Sequence, residues 1–314
     1  MPLSPFNEIN RTVVVGDVHG MLPELLALLH LVGLTTDDHL VMVGDLVDKG
    51  PDSSGVVKHL RNMREAGFHI TLVRGNHEEK NERFRRAYAR AGDKVQMKGA
   101  DELLALTKAL APEDIEFLES AVLFHALPEH DALVVHAGVL PSMEHLPTSE
   151  EIGKMTKSEL SKLERVMRVR HITGKINIKL TLEISDLDHL DPEPEVGSPV
   201  PLDELMSAAG SDLDAIVLKK QVIPKGSFIS LGNEGPDDPF WAEVYDGRFG
   251  RIYFGHNPYP EAAEPVEFPY ATGLDLGAVF GGRLAAAILE VGQEPRFVSV
   301  PASGKFADTL NEEE

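Results

Sequence analysis

The sequence predicts an α/β fold built on a largely parallel sheet, and three features predict it. The first 95 residues read as strand and helix in alternation with short connections, the pattern of right-handed βαβ units. Each early strand is a short apolar run that ends in a polar, glycine-marked turn. The last third becomes β-rich, with glycine at its corners. Open α/β sheets place their chemistry on the loops at the carboxyl ends of strands, so those turns are where function is to be sought.

The first strand, residues 12–15, runs into Gly16-Asp17-Val18-His19-Gly20. Residues 21–32 carry a helical pattern with Pro23 in the first turn and Gly33 just past the end, the positions that suit each residue's backbone. A second strand at 39–43 leads into Gly44-Asp45-Leu46-Val47-Asp48-Lys49-Gly50-Pro51 and a helix over 52–66. A third at 70–73 leads into Arg74-Gly75-Asn76-His77-Glu78 and a helix over 77–91. That helix carries Lys80, Arg83, Arg85, Arg86 and Arg90, a basic run in an acidic chain. Glu79 and Glu82 stand four residues before Arg83 and Arg86, so its plain reading is a solvated face with ion pairs, the alternative being a polyanion-binding face.

Residues 100–110 and 113–121 read as two further helices parted by Ala111-Pro112, and a strand at 132–135 ends in His136-Ala137-Gly138. Between 140 and 240 the pattern loosens. A helix is expected over 158–170, carrying Arg165, Arg168 and Arg170. Ten carboxylates and no lysine or arginine fill residues 183–214, among Pro192, Pro194, Pro199 and Pro201, which reads as solvated surface. The whole 140–240 segment is expected to be an insertion or cap on a single domain spanning 1–314. A strand at 251–254 delivers Gly255-His256-Asn257-Pro258, residues 271–282 give glycine-punctuated turns, and 283–290 with 295–300 close as a pair of strands. Residues 305–314 are expected to be a disordered acidic tail.

Composition sets limits on function. A chain of 314 residues with 42% hydrophobic content can bury a sizeable core. Its formal net charge of −21 argues against broad attraction to nucleic acid or an anionic membrane, while a local positive pocket can still take a phosphorylated substrate. Zero cysteines exclude disulfides and thiolate ligands, so a metal would be held by oxygen and imidazole nitrogen. No segment approaches the roughly 20 apolar residues that cross a bilayer, and the start lacks the regions of a secretory signal, so a cytoplasmic location is expected.

If the first three strands are parallel neighbours, Asp17, His19, Asp45 and Asn76 converge at one edge, and His136 and His256 repeat the strand-to-loop pattern. A mixed oxygen and imidazole set of six suits two divalent cations sharing a carboxylate, with Asp45 as the bridge. Two such ions, about 3.5 to 4 Å apart, clamp a phosphoryl group while a shared water, acidified by both, attacks in line. Manganese is the first expectation, with iron and zinc also suited to the ligands. His77 can protonate the leaving oxygen if Asp48 orients it. Lys49, the amide of Asn76 and an arginine of the 165–170 segment, Arg168 before Arg170, can hold phosphate oxygens.

Together the blocks Gly16 to Gly20, Gly44 to Gly50, Arg74 to Glu78, His136 to Gly138 and Gly255-His256 resemble the signature of the phosphoprotein phosphatase branch of calcineurin-like metallophosphoesterases, over residues 12–138 and 241–290. The resemblance implies a four-layer α/β/β/α sandwich, with Asp17, His19 and Asp45 on one metal and Asp45, Asn76, His136 and His256 on the other. It also implies His77 as general acid supported by Asp48. Lys49, Pro51-Asp52-Ser53 and residues 272–282 resemble the ApaH-like phosphatases, relatives of symmetrical diadenosine tetraphosphate hydrolases, whereas Glu78 is the protein-phosphatase choice and Leu276 interrupts the usual Asp-Thr-Gly. The expected activity is hydrolysis of dinucleoside polyphosphates or related phosphoanhydrides, capped nucleotides and a capped RNA end among them. The alternatives are a Ser/Thr phosphatase acting on phosphoproteins and an inactive scaffold, the latter disfavoured because no ligand or acid position is missing.

Overall fold

The alternation of the early sequence becomes β1 (Arg11–Val15), α1 (Leu22–Val32), β2 (His39–Met42), α2 (Ser53–Glu65), β3 (His69–Leu72) and α3 (Asn76–Ala91). The computed structural model describes residues 11–184, 216–229 and 238–308. It continues with α4 (Ala100–Ala109), α5 (Pro112–Glu119), β4 (Phe124–Leu127), β5 (Ala132–Val135), α6 (Ser149–Lys154) and α7 (Lys157–Leu163). Then come β6 (His171–Ile184), β7 (Ile216–Ile229), a one-turn α8 (Trp241–Val244), β8 (Arg251–Phe254), β9 (Val266–Phe268), β10 (Ala271–Gly273), β11 (Arg283–Glu290) and β12 (Arg296–Pro301). Local chemistry sets several boundaries. Gly33 ends α1 in the left-handed region at φ 61°, and the Asp52 carboxylate caps α2 by accepting the Gly55 N–H at 2.8 Å.

Two mixed sheets stack face to face. One has the order β12-β11-β1-β2-β3, with β1, β2 and β3 parallel as expected and β11 antiparallel to β1. The other has the order β4-β5-β8-β10-β9, with β5, β8 and β10 parallel. The two-residue period of a strand sorts the core. Val14, Val41, Val134 and Tyr253 point between the sheets, whereas Val13 and Val15 pack outward with Leu25, Leu28 and Leu60 of α1 and α2. Leu133, Ile252 and Phe254 face the opposite way, onto Val166, Met167 and Trp241. The result is the expected four-layer α/β/β/α sandwich.

Three sequence expectations need correction. The helix expected over 158–170 ends earlier: α7 stops at Leu163, a 3₁₀ turn spans Glu164–Met167, and Arg170 lies in the irregular chain just before β6. Thr156 starts α7 with a capping box to Glu159, but Val166 and Met167 are drawn into the core, which fixes the chain's exit. Second, 140–240 is not wholly an insertion. Ala137 and Gly138 donate to the Val166 carbonyl, Trp241 to that of Arg170 and Ile172 to that of Pro239, so both ends of the segment belong to the outer layer. Between them β6 and β7 form a separate two-stranded antiparallel sheet, and most of the acidic stretch of 183–214 lies outside the described residues. Third, residues 305–308 are not tail: Phe306 and Ala307 donate to the Val279 carbonyl, while residues 309–314 lie outside the described residues. Among the described residues no helix is long and apolar enough to cross a membrane.

Candidate metal centre

All five polar turns meet where the carboxyl ends of β1, β2, β3, β5 and β8 face each other across the sandwich. The first sheet contributes Asp17, His19, Asp45, Asn76 and His77, and the second contributes His136 and His256; every one of them is buried. Backbone bonds stitch the turns together. Val18 and His19 donate to the Asp45 carbonyl, and Gly255 donates to that of His136. His256 donates its N–H to Asp17 Oδ2 at 3.0 Å, and His77 donates its N–H to Asp45 Oδ1 at 3.0 Å.

Asp45 stands at the middle. Its Oδ2 lies 3.5 Å from His19 Nε2, 3.4 Å from His136 Nε2 and 4.0 Å from His77 Nε2. Two groups of side chains with the spacing to hold a metal ion share this carboxylate: His19, Asp45 and His77 in one, Asp45, His136 and His256 in the other. His19 presents Nδ1 to the Val47 carbonyl at 2.9 Å, and His136 presents Nδ1 to the Val43 carbonyl at 3.0 Å. Each carbonyl can take the Nδ1 proton, which leaves Nε2 of both rings facing Asp45. Asn76 Oδ1 lies 2.9 Å from both His136 Nε2 and His256 Nδ1, and Asp17 adjoins this side of the cluster through the His256 N–H.

Electrostatics shows what the cluster lacks. Burial pushes the Asp17 carboxyl well above the usual range, with Asp275 and Asp45 adding to it. Burial opposes a charge on His136 as well, yet Asp45, Asp17 and Glu78 outweigh it and push that imidazole up to about 9. Burial, helped by Lys49 at His19 and Arg170 at His256, holds these two rings neutral, the form that ligates. Asp17 Oδ1 is buried and accepts no hydrogen bond. Close approach is secured by glycine: a Cβ on Gly75 would sit 2.1 Å from Asp45 Oδ1, and one on Gly255 would sit 1.8 Å from Asp17 Oδ1. Buried carboxylates that draw positive charge, neutral imidazoles and an unclaimed carboxylate oxygen fit divalent cations.

Around this cluster the other expected residues take distinct places. Asp48 Oδ2 lies 2.8 Å from His77 Nδ1, which pairs them as an oriented imidazole and its carboxylate. Lys49 is half-buried, with Nζ 5.2 Å from the centroid of the Phe280 ring. Arg168 is exposed and bonds Glu79 at 2.8 Å, whereas Arg170 is bound to the Asn257 side chain at 2.6 Å and the His256 carbonyl at 3.2 Å. Arg170 therefore braces the His256 turn, and Arg168 is the arginine that opens toward solvent.

Three contributors were not assigned by sequence reasoning. Glu78 accepts the N–H groups of Asp45 and Leu46 at 2.8 Å each and of Gly75 at 2.9 Å, clipping the second turn to the third. Its place three residues after the helix N-cap was the available signal, since such a glutamate reaches back to free N–H groups. Asn81 donates to Asp48 Oδ1 at 2.9 Å, one helical turn beyond His77. Asp275 is buried, and its carboxyl is pushed up to about 6 by burial.

Comparison with known proteins agrees with the geometry. A family model described as calcineurin-like phosphoesterase matches residues 10–260. The bis(5'-nucleosyl)-tetraphosphatase PrpE (asymmetrical) of Halalkalibacterium halodurans is 26% identical over 309 residues, covering 92% of this chain and 93% of that protein. The symmetrical bis(5'-nucleosyl)-tetraphosphatase of Shigella dysenteriae serotype 1 is 27% identical over 255 residues, covering 74% of this chain and 85% of that protein. A crystal structure assigned as a candidate diadenosine tetraphosphatase superposes with a TM-score of 0.59 at 24% identity, covering 95% of this chain and 96% of that one, which speaks for the fold.

Proposed function

The chain belongs to the calcineurin-like phosphoesterase family, and we propose that it is a dinuclear-metal phosphohydrolase that cleaves the phosphoanhydride chain of dinucleoside polyphosphates. The observation that carries the reading is the pair of buried groups that share Asp45, His19 and His77 on one side of it and His136 and His256 on the other, with His77 also paired through Nδ1 to Asp48. Asp17, His19 and Asp45 would hold one divalent ion, and Asp45, Asn76, His136 and His256 the other. Bound there, the ions supply electrophilic activation of a phosphoryl group and an acidified water as its attacker. The substrate class is supported by the names of the relatives and by Lys49 in the second turn.

The chain's own groups supply the rest. Asp48 fixes the ring of His77 and stabilises its charged form, so that His77 Nε2 gives a proton to the leaving oxygen. Lys49 and Arg168 neutralise the non-bridging phosphate oxygens, Arg168 exchanging Glu79 for phosphate. Burial of the ligands keeps bulk water from screening these charges.

Product analysis tests the proposal. The purified, manganese-loaded protein is given diadenosine tetraphosphate and, separately, a phosphothreonine peptide. ADP as the nucleotide product is expected; equal AMP and ATP would make the cleavage asymmetrical. Phosphate from the peptide with intact dinucleotide would refute the substrate class, and full turnover in chelator would refute the metal requirement.

A further inference from the structure

Beside the metal centre lies an open cleft of about 580 Å³. Among the described residues, Asn76 and His77 are the members of the centre that line it. Its other walls are cationic: Lys80 and Arg83 come from α3, Lys98 from the loop before α4, and Arg165 and Arg168 from the turn after α7. Glu79 and Glu164 are the lining carboxylates, and Glu79 is shared between Arg168 at 2.8 Å and Arg83 at 3.5 Å. Five cations against two carboxylates reverse the sign of a chain whose formal net charge is −21. A reversal on that scale at a cleft focuses the field for an anion. The ion pairs expected on α3 do form, since Glu79 meets Arg83 and Glu82 meets Arg86, but one edge of the helix serves the cleft.

Position decides which part of a substrate the cleft receives. In the reaction proposed above, the new P–O bond forms to the water oxygen and the P–O bond to the bridging oxygen breaks. That oxygen departs with the bonding electron pair and takes the proton from His77. The leaving group therefore exits past His77, and the cleft begins at His77. An alcohol leaving from a phosphopeptide would bring no charge to meet five cations. A nucleoside diphosphate, or any fragment still carrying phosphates, brings two or more negative charges there.

We infer that this cleft is the leaving-group subsite and takes a phosphorylated, anionic leaving group, with Lys80, Arg83 and Arg165 binding phosphates beyond the scissile bond and so setting specificity. The inference rests on the phosphohydrolase reading and adds to it the side on which the departing half lies and the residues that hold it. Lys80 and Arg165 stand on different elements and outside the ligand set, which makes them the pair to change.

The test compares the wild-type chain with a Lys80→Gln/Arg165→Gln double variant of matched thermal stability. Metal-free proteins are titrated calorimetrically with inorganic tripolyphosphate, so this readout does not depend on turnover. The variant is expected to bind roughly tenfold or more weakly, with the gap narrowing as salt rises. In the manganese-loaded proteins, the ratio of kcat/KM for diadenosine tetraphosphate over p-nitrophenyl phosphate is expected to fall by about tenfold or more. Equal tripolyphosphate affinity in the two proteins overturns the assignment, and so does an unchanged ratio. A wild-type protein that hydrolyses p-nitrophenyl phosphate but no phosphoanhydride instead refutes the proposed substrate class, and the tripolyphosphate titration still judges the subsite on its own.

Discussion

Changing Asn81 to leucine is expected to slow turnover while metal binding persists. Asn81 is 1% exposed, and its Nδ2 donates to Asp48 Oδ1 at 2.9 Å and to the His77 carbonyl at 3.0 Å. Both partners are acceptors, which fixes the orientation of the amide, and the Asn81 oxygen is buried with no hydrogen-bond partner. The residue is thus present for its two N–H donors. Asp48 uses its other oxygen on His77 Nδ1, so the asparagine decides where that carboxylate points. Leucine keeps the volume and removes the donors. A hydrogen bond to a charged acceptor is worth about 1.5–3 kcal/mol. If that is lost from the placement of Asp48 during proton transfer, kcat falls by roughly 10- to 100-fold. The assay is kcat and KM on diadenosine tetraphosphate and on p-nitrophenyl phosphate, whose leaving group needs little protonation, with metal content measured alongside. The fall should be concentrated in kcat and larger for the substrate that needs the acid, and Asn81→Ser, which restores one donor, should recover part of it. Wild-type kcat in the leucine variant, or an equal fall on both substrates, would refute the positioning role.

Asp45→Asn should lower metal affinity and turnover by more than about a hundredfold, because both ligand groups lose their common carboxylate; metal content together with activity checks it, and retained hydrolysis would remove Asp45 as the bridge. Glu78→Gln weakens three N–H contacts to a buried carboxylate and should cost about 2 kcal/mol in denaturant unfolding, with a matching loss of metal affinity. Far from the centre, Asp38 accepts from Arg11 Nε at 2.7 Å and from the Thr35 N–H at 2.7 Å. Burial raises its carboxyl, but Arg11 and Thr35 outweigh that and hold it below the ordinary value. A depressed carboxylate contributes stability above its unfolded pKa of about 3.9 and loses it as pH falls through the folded value. Asp38→Asn should therefore destabilise by roughly 1–2 kcal/mol at neutral pH and much less in strong acid, read from unfolding curves at several pH values.

The fold and the site differed in how they could be read. Thr12 to Val15 and His39 to Val43 are apolar runs of strand length that end in turn residues, so periodicity and punctuation placed them. The same logic missed β4, because Phe124-His125-Ala126-Leu127 mixes half-buried and exposed positions at the edge of its sheet. It also passed over β6, although Ile176, Ile178, Leu180 and Leu182 alternate with polar residues, since the surrounding acidic and proline-rich chain reads as an insertion. In the site, the candidate ligands and the His77–Asp48 pair stand out in the sequence by residue type and by place after a strand. Those that act through another residue did not: nothing in the sequence says that Asn81 meets Asp48 thirty-three positions earlier. The two arginines could not be separated either, because Arg168 and Arg170 differ only in where the chain turns after the core captures Val166 and Met167.

Backbone strain ties the site to the fold that holds it. Six non-glycine residues among those described have φ between 44° and 68°: His19, Asp45, Asp48, Lys49, Asp131 and His256. Asp131 is the one outside the centre. A side chain in the left-handed region costs on the order of 1 kcal/mol, so the centre carries several kcal/mol that its own turns would shed if free to relax. What prevents relaxation is visible on each turn. Glu78 clips the Asp45 turn, Asp45 holds the backbone of His77 and its carbonyl that of His19, and Asp17 holds the backbone of His256. These clamps run between strands and across both sheets, so no single βα unit could keep its ligand in place. The carboxylates that do the clamping include those assigned to metal. Ligand charge and ligand position are therefore one network, and an ion entering it meets side chains whose direction the backbone has already fixed.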